Sequence, residues 1–239
     1  IGTLGAQGTA TSVAGIPFFY GDTGSIYTHD VSGTDNTATY NTAYGLTALD
    51  AITDGDYNTV VGWAAGTAIT TASENTLYGK SAGGAITTGS NNIMIGMNAG
   101  DGFDAETYNI GIGTNALGGS IDGGEYNIAI GGGSLDALTT GDNNVAIGYD
   151  AGGALTTGDD NTIVGFDAGS NAAITGDGNT VIGKVAGYAL TSGHSNVIIG
   201  RHAGSAITEG NLNTIIGYGA GDNWDVETNN VAIGRLSMG

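Results

Sequence analysis

Gly141-Asp142-Asn143-Asn144-Val145-Ala146-Ile147-Gly148 is the stretch whose reading decides the fold. An Asn, three mostly apolar residues and a Gly recur along most of the chain, with the Asn at Asn41, Asn58, Asn75, Asn92, Asn109, Asn127, Asn144, Asn161, Asn179, Asn196, Asn213 and Asn230. The Gly four residues on is present every time, from Gly45 to Gly234. The interval from Asn127 to Asn144 is kept at every step, and one residue is added only after Asn109 and Asn161. A period this strict over about 200 residues implies a repeat architecture in which no single unit can fold alone.

Let the Asn be position zero. Position +1 holds Thr, Val or Ile, and +3 holds Ile or Val, with Tyr44 and Tyr78 as exceptions. Ala recurs at +7 (Ala65, Ala151, Ala220), and a larger apolar side chain near +11 (Ile52, Phe103, Leu155, Trp224). A strand alternates its side chains between two faces. Positions +1 and +3 therefore share a face, and the larger of the two, at +3, is expected in the core. The side chain at +11 is expected on a second short strand opposite, with the Ala at +7 where the coil turns. The Gly at +4 ends the first strand with a backbone angle that other residues adopt only at a cost. The Asn can bond its own turn or stack as an amide ladder with its counterparts. No stretch carries the 3.6-residue period of a helix. The expected fold is all-β, a parallel β-solenoid of about twelve 17-residue coils spanning residues 41–239, with residues 1–40 as an N-terminal cap or connector. Ile16-Pro17-Phe18-Phe19-Tyr20 and the turn Gly21-Asp22-Thr23-Gly24 fall in that first segment, where Ser25-Ile26-Tyr27 faintly echoes the repeat.

Position +2, on the opposite face from +1 and +3, is also apolar in many units: Val60, Leu77, Met94, Ile163, Val181, Ile198 and Ile215. With +3 inward, this row would form an exposed stripe roughly 50 Å long at the usual strand spacing. Soluble monomers rarely leave so large a patch bare. These residues are therefore expected to form an oligomer interface.

Composition narrows the function classes. Four Lys plus Arg stand against 23 Asp plus Glu, a net charge of -19. Phosphate-mediated nucleic-acid binding needs clustered cations, so nucleic acid is excluded as a partner. An anionic membrane surface is disfavoured for the same reason, and no apolar run is long enough to insert as a helix. Forty-seven Gly beside one Pro, without a Gly-X-Y period, fit many tight turns between short strands. The absence of Cys rules out disulfides and thiolate metal sites.

Asn143-Asn144-Val145-Ala146-Ile147-Gly148 resembles the repeat in the heads of trimeric autotransporter adhesins. The longer form, Asn161-Thr162-Ile163-Val164-Gly165-Phe166-Asp167-Ala168-Gly169, is still more similar to β-solenoid repeats of phage tail fibres, as is Asn213-Thr214-Ile215-Ile216-Gly217-Tyr218-Gly219-Ala220-Gly221. Adhesin-head repeats are usually shorter, which favours the fibre. The resemblance implies a left-handed coil, three chains side by side, and a fibre that can end where a self-cleaving chaperone is released. It supplies the expectation of a virion or extracellular, cell-surface location and of contact with a host-surface receptor.

Candidate chemistry is sparse. His29, His194 and His202 lie at ordinary turn or linker positions and assemble no nucleophile, base and orienter. Gly111-Ile112-Gly113-Thr114-Asn115-Ala116 spells a dinucleotide fingerprint, but the chain enters another coil where a helix is required. Asp142, Asp159 and Asp177 share a turn position with Asp56 and Glu125; stacked about 5 Å apart they could share a Ca²⁺ ion, against the plainer reading of solvated turn acids. No other cofactor is expected. Thr70, Thr87, Thr139, Thr156, Thr191 and Thr208 form a column that could match an ice lattice, although it breaks near residues 104 and 122. The expectation is a non-enzymatic structural fibre subunit, a shaft or receptor-contact segment, self-associating as a homotrimer or filament. A bacterial adhesin or extracellular filament is the alternative, and an ice-binding protein the third class.

Overall fold

The computed structural model describes residues 11–13, 16–20, 25–28 and 35–238. At its start, β1 (Thr11–Val13) and β2 (Ile16–Tyr20) form an antiparallel hairpin, and β2 pairs antiparallel with β3 (Ile26–Tyr27). From β3 and β4 (Thr42–Tyr44) to β15 (Val231–Ile233) the strands run parallel in sequence order, each paired with the one before and after it. The register advances by one repeat per strand. Ala146 pairs with Ala129 on one side and Ile163 on the other. The chain is thus a parallel β-solenoid, and twelve Asn-led coils at about 4.8 Å per strand make it about 55 Å long. Ile26–Tyr27 belongs to the stack, and Ser25 Oγ stands where the repeat has its Asn, accepting the Asn41 N–H at 2.9 Å. The hairpin covers an edge whose backbone groups would otherwise stand unpaired. The turn at residues 21–24 and His29 lie outside the described residues.

The strands alternate as a β-ladder must, in the opposite phase to the one expected. Position +2 points inward: Val60, Leu77, Met94, Ile163, Val181, Ile198 and Ile215 are all 0–1% exposed. Positions +1 and +3 point out, as the exposed–buried–exposed pattern of Thr76–Tyr78 and Ile93–Ile95 shows. The seven side chains at +2 therefore form the core of one chain and are not an interface between chains. The Asn settles the phase, because it sits two positions before +2 on the same face. Its amide is more valuable inside, where it closes backbone hydrogen bonds that water cannot reach.

Only one strand per coil forms, three residues long. The expected second strand is a run of turns, touched by a single parallel bridge between Leu155 and Ile174. Left-handed backbone at the residue before the Asn (Tyr126, Asn143, Asp160) and again at +6 and +8 keeps the chain from extending there. The coil-to-coil bonds continue through these turns, as from Thr139 N–H to the Thr156 carbonyl at 2.9 Å. The Ala at +7 and the larger side chains at +11 are buried as expected. In the two longer coils the inward side chain comes later, at Ile121 in one and Ile174 in the other.

Candidate functional site

The Asn ladder fixes where everything else lies. Asn144 donates both its backbone N–H, at 2.9 Å, and its Nδ2, at 3.1 Å, to Asn127 Oδ1. The same Nδ2 also donates to the Gly158 carbonyl at 2.9 Å, and the Asn144 Oδ1 accepts from Asn161 in turn. The Gly at +4 adopts φ between 124° and 145°, and its carbonyl lies against the Gly of the preceding coil. The sheet between these two columns is therefore held in register.

That sheet presents its outer face to solvent. At +3, Tyr44, Tyr78, Ile95, Ile130, Ile147, Ile182 and Ile233 are 36–63% exposed. At +1 stand Thr42, Thr59, Thr76, Ile93, Val145 and Val231, also on the outer side. Two further exposed columns flank this face. On the side where the strands begin, at -1, Tyr40 stacks on Tyr57 and Tyr108 on Tyr126, each pair with ring centroids 5.1 Å apart. On the side where they end, at +5, Tyr149 stacks on Phe166 at 5.4 Å. Stacking follows from the coil spacing, which sets identical positions about 4.8 Å apart.

The +5 column also carries all the cations. Lys80, Lys184, Arg201 and Arg235 are the four basic residues of the chain, and every one occupies that position. Each lies over an aromatic ring of its own column: Lys80 over Trp63 at 5.3 Å, Lys184 over Phe166 at 5.0 Å, and Arg201 and Arg235 over Tyr218 at 5.8 Å. The face is an apolar strip with one basic-aromatic margin on a strongly acidic molecule. The apolar row at +2 points to the wrong side of the strand. A better signal was in the sequence, in the uniform +5 placement of so few cations.

The acids serve the backbone. Asp142 Oδ1 accepts the Glu125 N–H at 2.7 Å, Asp159 Oδ1 that of Asp142 at 2.8 Å, and Asp177 Oδ1 that of Asp159 at 2.9 Å. Each carboxylate has one oxygen turned to the preceding coil. No group of three or more His, Cys, Asp or Glu able to hold a metal occurs among the described residues. Elsewhere on the surface, burial and then a neighbouring carboxylate raise Asp136 (beside Asp150) and Asp150 (beside Asp167) above the ordinary carboxylate range. Asp101 is raised mainly by burial, with Asp136 adding to it. Burial likewise raises the Tyr27 phenol, at the N-terminal end of the core.

His194 lies 3.4 Å from the Ser195 hydroxyl, and His202 meets the Tyr218 ring edge-on at 6.4 Å. The Thr column is turned to the stack: Thr139 and Thr156 donate their hydroxyls to the Thr156 and Ile174 carbonyls at 2.9 and 3.1 Å, and Thr191 donates to the Thr208 carbonyl at 3.0 Å. Gly111 is the centre of a strand whose chain runs into the next coil's turns, so the dinucleotide spelling has no helix behind it. No helix of the described residues is long and apolar enough to cross a membrane.

No family model matches the chain, and no curated protein or solved structure matches it either.

Proposed function

We propose that this chain is a structural, non-enzymatic fibre subunit, a shaft or receptor-contact segment of a phage tail fibre, working as a homotrimer on a virion. The observation that carries the reading is the unbroken parallel stack of twelve Asn-led coils with one largely apolar sheet face left in solvent. A stack of this kind is a spacer by construction, because each coil adds about 4.8 Å of length and contacts only its neighbours. The repeat's resemblance to tail-fibre solenoids supplies the biological setting and the number three.

Light scattering on the purified chain tests it. The expected result is a stable trimer at micromolar concentration, seen by electron microscopy as rods about 55 Å long or multiples of that length. A soluble monomer would overturn the fibre reading. The sequence encoded on either side of this segment separates the setting: a virion-attachment or chaperone domain supports the phage fibre, whereas a membrane anchor would replace it with a bacterial adhesin.

A further inference from the structure

We infer that copies of this chain pack side by side through the outer sheet face, all pointing the same way and in register, with the -1 column of one copy against the +5 column of the next. This rests on the homo-oligomeric reading above and adds to it the face, the direction and the residue pairing.

Area comes first. The face spans about 55 Å along the stack and at most about 20 Å across the strand from -1 to +5. That is on the order of 1,000 Å² per copy, more than the ~800 Å² per partner of a standard stable interface. Its centre is Ile, Val, Thr and Tyr, as an interface core requires.

Charge and size then choose the arrangement. Rotation about an axis parallel to the solenoid, whether two-fold or three-fold, brings the -1 margin of one copy to the +5 margin of its neighbour at the same height. Within single coils those margins already match. Glu74 and Lys80 bracket one strand, Tyr57 and Trp63 another, and Leu212 and Tyr218 a third. In-register neighbours thus set the Glu74 carboxylate against the Lys80 ammonium and these apolar pairs against each other, while Lys184, Arg201 and Arg235 meet the uncharged Gly178, Ser195 and Asn229. Head-to-tail pairing about a perpendicular two-fold axis does the reverse. It lays +5 on +5, and at full overlap puts Lys80, in the third coil, against Arg201, in the tenth of twelve. Like charges facing each other across an interface select against that pairing.

The experiment uses the absence of Cys from the natural chain. Asn143→Cys with Tyr149→Cys places thiols on the two margins of one coil, too far apart to bond within a copy. Mild oxidation should close a covalent ring, a trimer if three chains assemble, while Ala137→Cys on the opposite side should give none. A covalent dimer would keep the margin pairing and replace three chains by two. An oligomer by light scattering that gives no such bond overturns this packing and leaves the fibre reading standing; a monomer overturns both. Because the cysteines could disturb folding, a second set needs none. Lys80→Glu should weaken association at least tenfold, and Glu74→Lys added to it should restore most of the loss. No recovery in a folded double variant overturns the pairing.

Discussion

Leu117 lies over Gly111, its Cδ1 3.7 Å from where a β-carbon on that glycine would stand. One coil earlier the two sizes are exchanged. Met94 occupies the strand centre, and its Sδ would stand 2.5 Å from a β-carbon on Gly100, six positions on. The same interior space is filled from the strand in one coil and from the turn in the next. Ala43 with Leu49 and Ala129 with Leu135 follow the Leu117 pattern, while Leu77 with Gly83 and Ile163 with Gly169 follow the other. Leu49, Leu117 and Leu135 hold left-handed backbone (φ 57°, 53° and 50°), a conformation costing roughly 1–2 kcal/mol, which the filled core must outweigh.

A volume exchange tests this. Leu135→Gly relieves the backbone but empties the core, and should lower stability by about 2–3 kcal/mol, the usual cavity loss less the relief. Adding Ala129→Ile, which copies the Ile163–Gly169 coil, should recover at least half. Urea unfolding of the three chains decides it, and a double variant no better than the single would show that the two positions do not share one space.

That exchange explains why the sequence suggests the wrong phase for the strand. Periodicity fixes that +1 and +3 share a face, and both +2 and +3 are apolar, so hydropathy alone cannot say which is inside. Two features could have. In most coils the side chains at +2 and +8 compensate in volume, as neighbours in a close-packed interior must, and where both are small, at Ala146 and Gly152, Leu135 and Ile163 of the adjacent coils close on Gly152. The +3 column also admits Tyr44 and Tyr78, whose phenolic hydroxyls favour solvent over an apolar interior. Coil number, strand direction, the interior positions +7 and +11 and the Asn ladder were legible because each depends on the repeat alone. The left-handed turns in place of a second strand were not, because Tyr126 and Leu135 are poor advertisements for positive φ.

The corrected phase makes adjacent residues behave oppositely. Ile198→Lys buries an ammonium without a partner and should cost about 3–5 kcal/mol or prevent folding. Ile199→Lys, one position on, faces outward and should leave monomer stability within about 1 kcal/mol while weakening association. Circular dichroism melts with sedimentation velocity separate the two effects. Equal destabilisation by both would mean that the face is not exposed in the folded chain.

Asn144→Leu keeps the branched outline of the side chain and removes the amide. The Asn161 N–H, which donates to Asn144 Oδ1 at 2.9 Å, and the Gly158 carbonyl, which accepts from Nδ2 at 2.9 Å, would both lose their partners in the interior. Each orphaned group costs about 1–3 kcal/mol, so a loss of about 3–5 kcal/mol is expected. Because coils contact only neighbours, the break should be local. Hydrogen exchange should quicken first around residues 144–161, and uniform quickening along the stack would contradict the ladder's role.

Acid should stabilise this protein over a defined range. Asp101, Asp136 and Asp150 each hold their proton more tightly in the folded chain than unfolded, chiefly because burial disfavours the charge, with neighbouring carboxylates adding to it. Between the ordinary aspartate value of about 3.9 and the raised folded values, the native state binds more protons than the unfolded one. Stability therefore rises as pH falls through the folded values, is complete below the unfolded value, and is lost as pH climbs back. Asp54 works the other way: hydrogen bonds from Thr37 and Thr53 lower it, so its small, fully exposed contribution disappears only at more acid pH. The thermal midpoint should thus climb from pH 7 towards about pH 4 and then level or turn down. Asp136→Asn removes one raised carboxyl and the charge beside Asp101. Its midpoint should exceed that of the natural chain at pH 7, converge with it near pH 4, and show a shallower slope between. A variant that is less stable at pH 7, or that keeps the full slope, would show that these carboxylates do not set the acid response.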